Sequence, residues 1–279
     1  MMILQQLRHL CRRLLEDGEV QVVIGYGQSR PDAPAYPIFI TRADDVDRLV
    51  WSDRCFANLT AYLTRKEIRA LGKPAIIVKG CDERALVVLE NESQIERSEI
   101  VVIGVACEGV GLPKCAACDV RMPRTTNMVV GEIDNPDVPA TDRYAALDAF
   151  MARSPADRMA YWQAELSRCV KCYACRQVCP LCYCQRCIVD KNRPTAIDTS
   201  ASLKGNFAWH ITRAFHLAAR CVGCGECTRA CPAGIDLMLL NLATARAAEN
   251  SFGYRPGMDP EAEPVVGSYR ERDQEAFIR

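Results

Sequence analysis

The stretch RCVKCYACRQVCPLCYCQRC, residues 168–187, places seven cysteines within twenty residues. A second cluster, CVGCGECTRACP, occupies 221–232. These thiols are packed too closely to pair comfortably with one another. The chain holds 17 cysteines in all, an odd number. Its first residues, MMILQQLRHLCRRLLEDGE, have arginines spread through them and lack both a secretory apolar block and a small-residue cleavage site. They read instead as an amphipathic helix, with Ile3, Leu4, Leu7, Leu10, Leu14 and Leu15 at helical spacing, Cys11 on the apolar face and Gly18 as the stop. A cytoplasmic, reducing compartment is expected. Disulfides rarely persist there, and close-spaced cysteines serve as metal ligands or redox groups.

Composition narrows the class further. A chain of 279 residues suffices for about two domains. Lysine plus arginine equals aspartate plus glutamate at 35 each, which gives no reason to expect nucleic acid or an anionic membrane as partner. No apolar run approaches the roughly 18 residues that would span a bilayer.

Residues 1–135 read as an α/β domain. Valine- and isoleucine-rich strands are expected at 20–24, 37–40, 75–79, 100–105 and 127–130, in a largely parallel sheet with helices packed on it. Between them, Thr41 is the expected cap of a helix over RADDVDRLV. CFANLTAYLTRKEIRAL reads as one helix ending at Gly72, and CDERALVVLENE as another. A turn-rich break at 134–142 precedes a helical linker over 136–168, whose second helix starts at Ser154-Pro155. Residues 169–250 form the cysteine-dense module, expected to be mainly helix and loop. Residues 251–279 read as an extended arm.

Cys169, Cys172, Cys175 and Cys179 follow C-x2-C-x2-C-x3-C, with Pro180 next; Cys221, Cys224, Cys227 and Cys231 repeat it, with Pro232 next. This resembles the bacterial ferredoxin run, in which three cysteines wrap one 4Fe–4S cubane and the fourth ligates the other cluster. The resemblance implies one cluster on Cys169, Cys172, Cys175 and Cys231, and a second on Cys221, Cys224, Cys227 and Cys179. Zinc, which also accepts four thiolates, is the alternative, but structural zinc sites generally pair two short C-x2-C knuckles. Between the quartets lies a helical stretch whose Trp209, His210, Arg213 and His216 are candidate donors to cluster sulfurs, or else ordinary helix residues.

Upstream, Cys81 and Cys107 each follow an expected strand, and Cys115 and Cys118 form KCAACD just after. Open α/β sheets place ligands at the carboxyl ends of strands, so these four can converge. Here the chain resembles the beta subunits of deazaflavin-coenzyme-reducing hydrogenases and formate dehydrogenases, over roughly residues 20–240. The resemblance implies a third 4Fe–4S cluster on Cys81, Cys107, Cys115 and Cys118. Flavin-binding members carry an N-terminal segment with a Gly-Gly turn and a following helix, for which this chain has no counterpart. The expectation is an electron wire rather than an FAD-dependent reductase acting on deazaflavin or nicotinamide. Its partners would be a catalytic dehydrogenase or hydrogenase subunit and a flavoprotein or other iron–sulfur subunit. Cys182, Cys184 and Cys187 are left over. They are either structural thiols or part of a fourth cluster completed by Cys55 or by a partner subunit.

Overall fold

The computed structural model describes residues 2–134, 142–189, 197–198 and 200–266. The chain divides into two compact units, Met1–Arg143 and Tyr144–Arg279.

The first unit opens with helix α1 (Met2–Glu16) and is built on a five-stranded sheet. Its strands are β1 (Val22–Gly27), β2 (Tyr36–Ile40), β3 (Pro74–Val78), β4 (Val101–Val105) and β5 (Met128–Val130), in spatial order β2-β1-β3-β4-β5. Only β2 runs antiparallel to its neighbour; β1, β3, β4 and β5 are parallel. The strands sit within three residues of where β-branched runs predict them. Alternation then sorts their side chains. Val23, Ala75, Ile77, Ile103 and Val105 face α1 through its buried Leu7, Cys11 and Leu14. Ile24, Ile76, Val78 and Val102 pack with Leu86, Leu59 and Leu63 on the other face. A parallel sheet covered on both faces reads as near-continuous apolar runs, which is why these strands were legible.

The connections differ from expectation at two places. RADDVDRLV forms a 3-10 helix, Ala43–Arg48, with Arg42 rather than Thr41 in the capping position and no side-chain cap. Leu49 is already extended, and it is fully buried, as is Val46. Anchoring both in the core leaves no room for a longer helix. CFANLTAYLTRKEIRAL breaks into a 3-10 helix, Leu59–Tyr62, and a single turn, α2 (Lys66–Arg69). Asn58 starts the first by accepting from Thr60 N (3.1 Å), and the extended Arg65 interrupts the run. The Leu63 carbonyl accepts from Arg69 Nε (3.1 Å) instead of continuing a helical ladder.

After β3 comes helix α3 (Gly80–Asn91), opened by Asp82, whose carboxylate accepts from Lys79 N (3.2 Å). Glu83 is buried and accepts from Arg124 N (2.8 Å) and Thr125 N (2.5 Å), pinning the segment before β5 onto α3. Gly80 permits the close approach of the chain beyond Cys118: a Cβ there would lie 2.0 Å from the Val120 carbonyl oxygen.

The second unit holds α4 (Ala145–Met151), α5 (Pro155–Ser167), α6 (Ala174–Gln177), α7 (Leu203–His216), α8 (Glu226–Arg229) and α9 (Leu237–Phe252). Ser154 caps α5 by accepting from Asp157 N (3.1 Å), with Pro155 at the first helical position. The residues expected as a helical linker pack into this unit: Leu147 and Phe150 of α4 bury against Leu239 and Leu242 of α9. Asp236 caps α9, and Gly253, at φ +63°, ends it. Beyond it, Tyr254 is buried with Ala219 and Ala248, and Val265 packs against them. The rest of the expected arm, from residue 267, lies outside the described residues, as does most of the expected break at 134–142.

Gly80→Ala is expected to destabilise the first unit by about 1–3 kcal/mol, the usual toll of overpacking, and to displace the loop carrying Cys118. Hydrogen exchange of peptides from α3 and the 115–126 loop checks this; unchanged protection would contradict it.

Candidate metal centres

In the first unit, the parallel strands deliver two cysteines to one sheet edge. Cys81 stands in the first turn of α3, just past the carboxyl end of β3. Cys107 stands two residues past β4. A 3-10 helix, Pro113–Ala117, carries Cys115 and leads into Cys118. Electrostatic coupling links Cys81 to Cys118, and Cys115 to both Cys107 and Cys118. The loop backbone is turned toward the sulfurs. Val110 N donates to Cys115 Sγ (3.4 Å), while Gly109 and Val120 donate backbone bonds to Cys107 and Cys118. Gly109 and Gly111 hold φ values of +130° and +67°, open only to glycine at low cost. Sulfurs receiving backbone N–H bonds are suited to anionic, metal-bound thiolate. As thiols, Cys81, Cys107 and Cys118 are all pushed up by burial, so a metal would have to displace their protons.

Lys79 is the residue that sequence reading passed over. It follows β3 directly and is fully buried. Its ammonium lies 2.7 Å from Asp82 and 3.1 Å from the Ala57 carbonyl, and it also hydrogen-bonds Tyr26 Oη. Burial alone would discharge it, but Asp82, together with the Cys81 and Cys107 sulfurs, outweighs burial and keeps it charged. A lysine terminating an apolar strand beside a cysteine, IIVKGC, was the available signal.

In the second unit the two quartets repeat a backbone pattern. In CVKCYAC, Lys171 and Tyr173 have φ of +56° and +60°; in CVGCGEC, Gly223 and Gly225 have +71° and +74°. Each run then enters a one-turn helix, α6 or α8. Alternating left- and right-handed residues turn successive N–H groups inward, a nest for anions and iron–sulfur clusters. Lys171 N, for example, donates to Cys169 Sγ (3.4 Å).

Two cavities lie against these turns. The first is lined by Cys169, Cys172, Cys175 and Cys231, with Tyr173, Trp209 and His210. The second is lined by Cys221, Cys224, Cys227 and Cys179, with Leu217, Met238 and Asn241. Each therefore gathers three cysteines of one quartet and the fourth of the other. Burial pushes the thiols of Cys175 and Cys227 up to about 11 and about 12.

Side chains reach the sulfurs as well. His210 Nε2 lies 3.3 Å from Cys169 Sγ. Burial, with Arg213 and Lys171 nearby, brings the imidazole down to about 4, so the ring is neutral and donates when the proton is on Nε2. Asn241 Nδ2 donates to Cys227 Sγ (3.6 Å), a contact the sequence gave no reason to suspect. Trp209 Nε1 is buried on the first cavity with no protein acceptor among the described residues. Arg213 donates to the Cys175 carbonyl (3.1 Å). His216 stands in the last turn of α7, on an exposed position.

The remaining cysteines have separate surroundings. Cys182 hydrogen-bonds Cys179 and Arg213, and both contacts lower its thiol below the usual range. If Cys179 is a metal-bound thiolate it can only accept, and Cys182 becomes the donor. Cys184 is exposed, and Cys187 packs against the core of Leu166 and Val189. Cys55 is fully buried in the first unit's core beside Leu59 and Ile24; ligation would require it to leave that core. Cys11 is fully buried on α1, its thiol raised to about 12 by burial.

These arrangements agree with the company the sequence keeps. Residues 165–235 match the 4Fe-4S dicluster domain. A formate dehydrogenase beta subunit of Methanocaldococcus jannaschii, described as F420-dependent, is 32% identical over 110 residues, 39% of this chain and 28% of that relative. This match spans well under a third of that relative's length. The beta subunit of F420-dependent formate dehydrogenase 1 of Methanococcus maripaludis is 22% identical over 358 aligned positions, 92% of each chain. The chain thus resembles formate dehydrogenase beta subunits and contains a 4Fe–4S dicluster domain. The 358 aligned positions exceed the 279 residues of this chain, so that relative carries insertions this chain lacks.

Lys79→Met leaves Asp82 buried without its cation and is expected to destabilise the first unit by about 3–5 kcal/mol. Lys79→Met/Asp82→Asn should recover part of this. Hydrogen exchange in β3 and β4 reads the difference; a loss below about 1 kcal/mol in the single variant would contradict the assignment of a buried pair.

Proposed function

We propose that this chain is an electron-transfer subunit of an oxidoreductase complex, carrying three 4Fe–4S clusters. The observation that supports this most is the exchange of the fourth cysteine between the two cavities of the second unit. It follows the ferredoxin rule that the fourth cysteine serves the other cluster. In this reading Cys169, Cys172, Cys175 and Cys231 hold one cluster, Cys221, Cys224, Cys227 and Cys179 the second, and Cys81, Cys107, Cys115 and Cys118 the third. Bound clusters would supply one-electron chemistry; the protein's part is to bind them, exclude water and set the local charge. Zinc fits less well. One ion draws four sulfurs to about 2.3 Å, and among the described residues no three cysteine, histidine or acidic side chains converge on such a point.

The complex is of the formate dehydrogenase kind, by similarity to the relatives named above, with a catalytic subunit delivering or receiving electrons. Those relatives are described as F420-dependent, and reduction of such a coenzyme by this complex would require a flavin. We place that flavin on a partner, because the longer relative has insertions that this chain lacks. No helix among the described residues is long and apolar enough to cross a membrane, and the proposed setting is the cytoplasm. The proposal includes no fourth cluster, because Cys55, Cys182, Cys184 and Cys187 lie in such different surroundings.

Anaerobically loaded protein is expected to hold about twelve irons per chain and no stoichiometric flavin. Cys221→Ala/Cys224→Ala should lower iron to about eight. Adding Cys179→Ala to that variant should change nothing further, whereas adding Cys231→Ala should lower iron to about four. The opposite pattern would reverse the crossing. Zinc in place of iron would refute the reading, sixteen irons would restore a fourth cluster, and bound FAD with coenzyme reduction by the chain alone would make it a reductase.

A further inference from the structure

Arg213 is 6% exposed on α7. Burying a guanidinium is costly unless anions surround it, yet among the described residues no carboxylate pairs with it. Its contacts are the Cys175 carbonyl (3.1 Å) and the Cys182 sulfur, and its Nε has no protein acceptor there. Cys182, which Arg213 contacts, hydrogen-bonds Cys179 in turn. Cys175 lines the first cavity; Cys179 and Cys227 line the second. One buried cation therefore touches a ligand of the first centre directly and reaches a ligand of the second through Cys182, with no carboxylate beside it among the described residues.

We propose that Arg213 is the shared counter-cation of the two centres, a positioning residue that raises the reduction potential of both clusters together. The inference rests on the iron–sulfur reading above. A cluster that takes up one electron gains one negative charge, with no bond made or broken. A fixed cation in a low-dielectric surround favours that reduced form. The other side-chain contacts are selective: His210 meets Cys169 of the first centre and Asn241 meets Cys227 of the second. Arg213 reaches residues of both. Its reach follows from its position: α7 leads directly into the second quartet, and its inner face also lines the first cavity through Trp209 and His210.

The test uses the full chain, loaded anaerobically with iron and sulfide and titrated with dithionite as electron donor, with reduced clusters followed by electron paramagnetic resonance. Arg213→Gln should move the midpoint potentials of both second-unit clusters to more negative values at unchanged iron content. Arg213→Lys, which keeps the charge, should bring both back toward wild type. Asn241→Leu should move only one. Potentials unmoved in an iron-replete Arg213→Gln chain, or a shift confined to one cluster, would overturn the inference alone. If Arg213→Gln does not retain its clusters, Arg213→Lys decides: wild-type potentials at both centres support the inference, and a shift in either overturns it. A wild-type chain that takes up no iron overturns the functional reading as well.

Discussion

Gathering sulfur atoms inside a protein is the constraint on which this structure turns. A cysteine alone in a core behaves as a small apolar side chain, as Cys11 does on α1. Four brought together for a metal become anions, and buried anions need N–H donors and cations around them. The candidate centres of the two units would meet that demand by different means. In the first unit, strand ends and a glycine-bearing loop supply backbone donors, and the Lys79–Asp82 pair adds a dipole. In the second, the left-handed turns supply donors and Arg213 the charge.

The two buried cations are held differently. Lys79 is already neutralised by Asp82, 2.7 Å away, so the pair adds a dipole rather than a net charge beside Cys81 and Cys107. Arg213 has no carboxylate partner among the described residues, and it contacts the Cys175 carbonyl and the Cys182 sulfur. The first arrangement is self-sufficient as a fold; the second makes better sense with anionic centres in place. This is a physical reason to expect the second unit to depend more heavily on its clusters for folding than the first.

Much of this was legible in the sequence, for identifiable reasons. The five strands declared themselves because a parallel sheet covered on both faces needs unbroken apolar runs, and the cysteine-dense module because its spacing follows the pattern of the dicluster domain that residues 165–235 match. Local capping and packing decided the rest. The 3-10 turns at 43–48 and 59–62 carry helix-like periodicity, but Leu49 must be buried at once and Asn58 prefers its own turn. The helices of 145–167 looked like a linker because nothing in their sequence shows that Leu147 and Phe150 bury against α9. Asn241 was invisible for a similar reason: its neighbour Cys227 is fourteen positions away, brought close only by the packing of α8 and α9.

The comparison of CVKCYAC with CVGCGEC explains why the two quartets look less alike in sequence than in backbone. Both need left-handed residues at the second and fourth positions after the first cysteine, and glycine is the inexpensive choice. The first quartet uses lysine and tyrosine, at about 1–2 kcal/mol each, and each has contacts that offset the strain. Lys171 Nζ donates to the Ser200 carbonyl (2.6 Å), and the Tyr173 ring packs edge-on against Trp209, 5.4 Å between centroids. Trp209 lies against His210, which reaches Cys169. The strained residues thus tie the first centre to α7 and to the segment before it, where the glycines of the second quartet leave no such connection. The backbone turn is shared, and the side chains on it make the surroundings of the two cavities unequal.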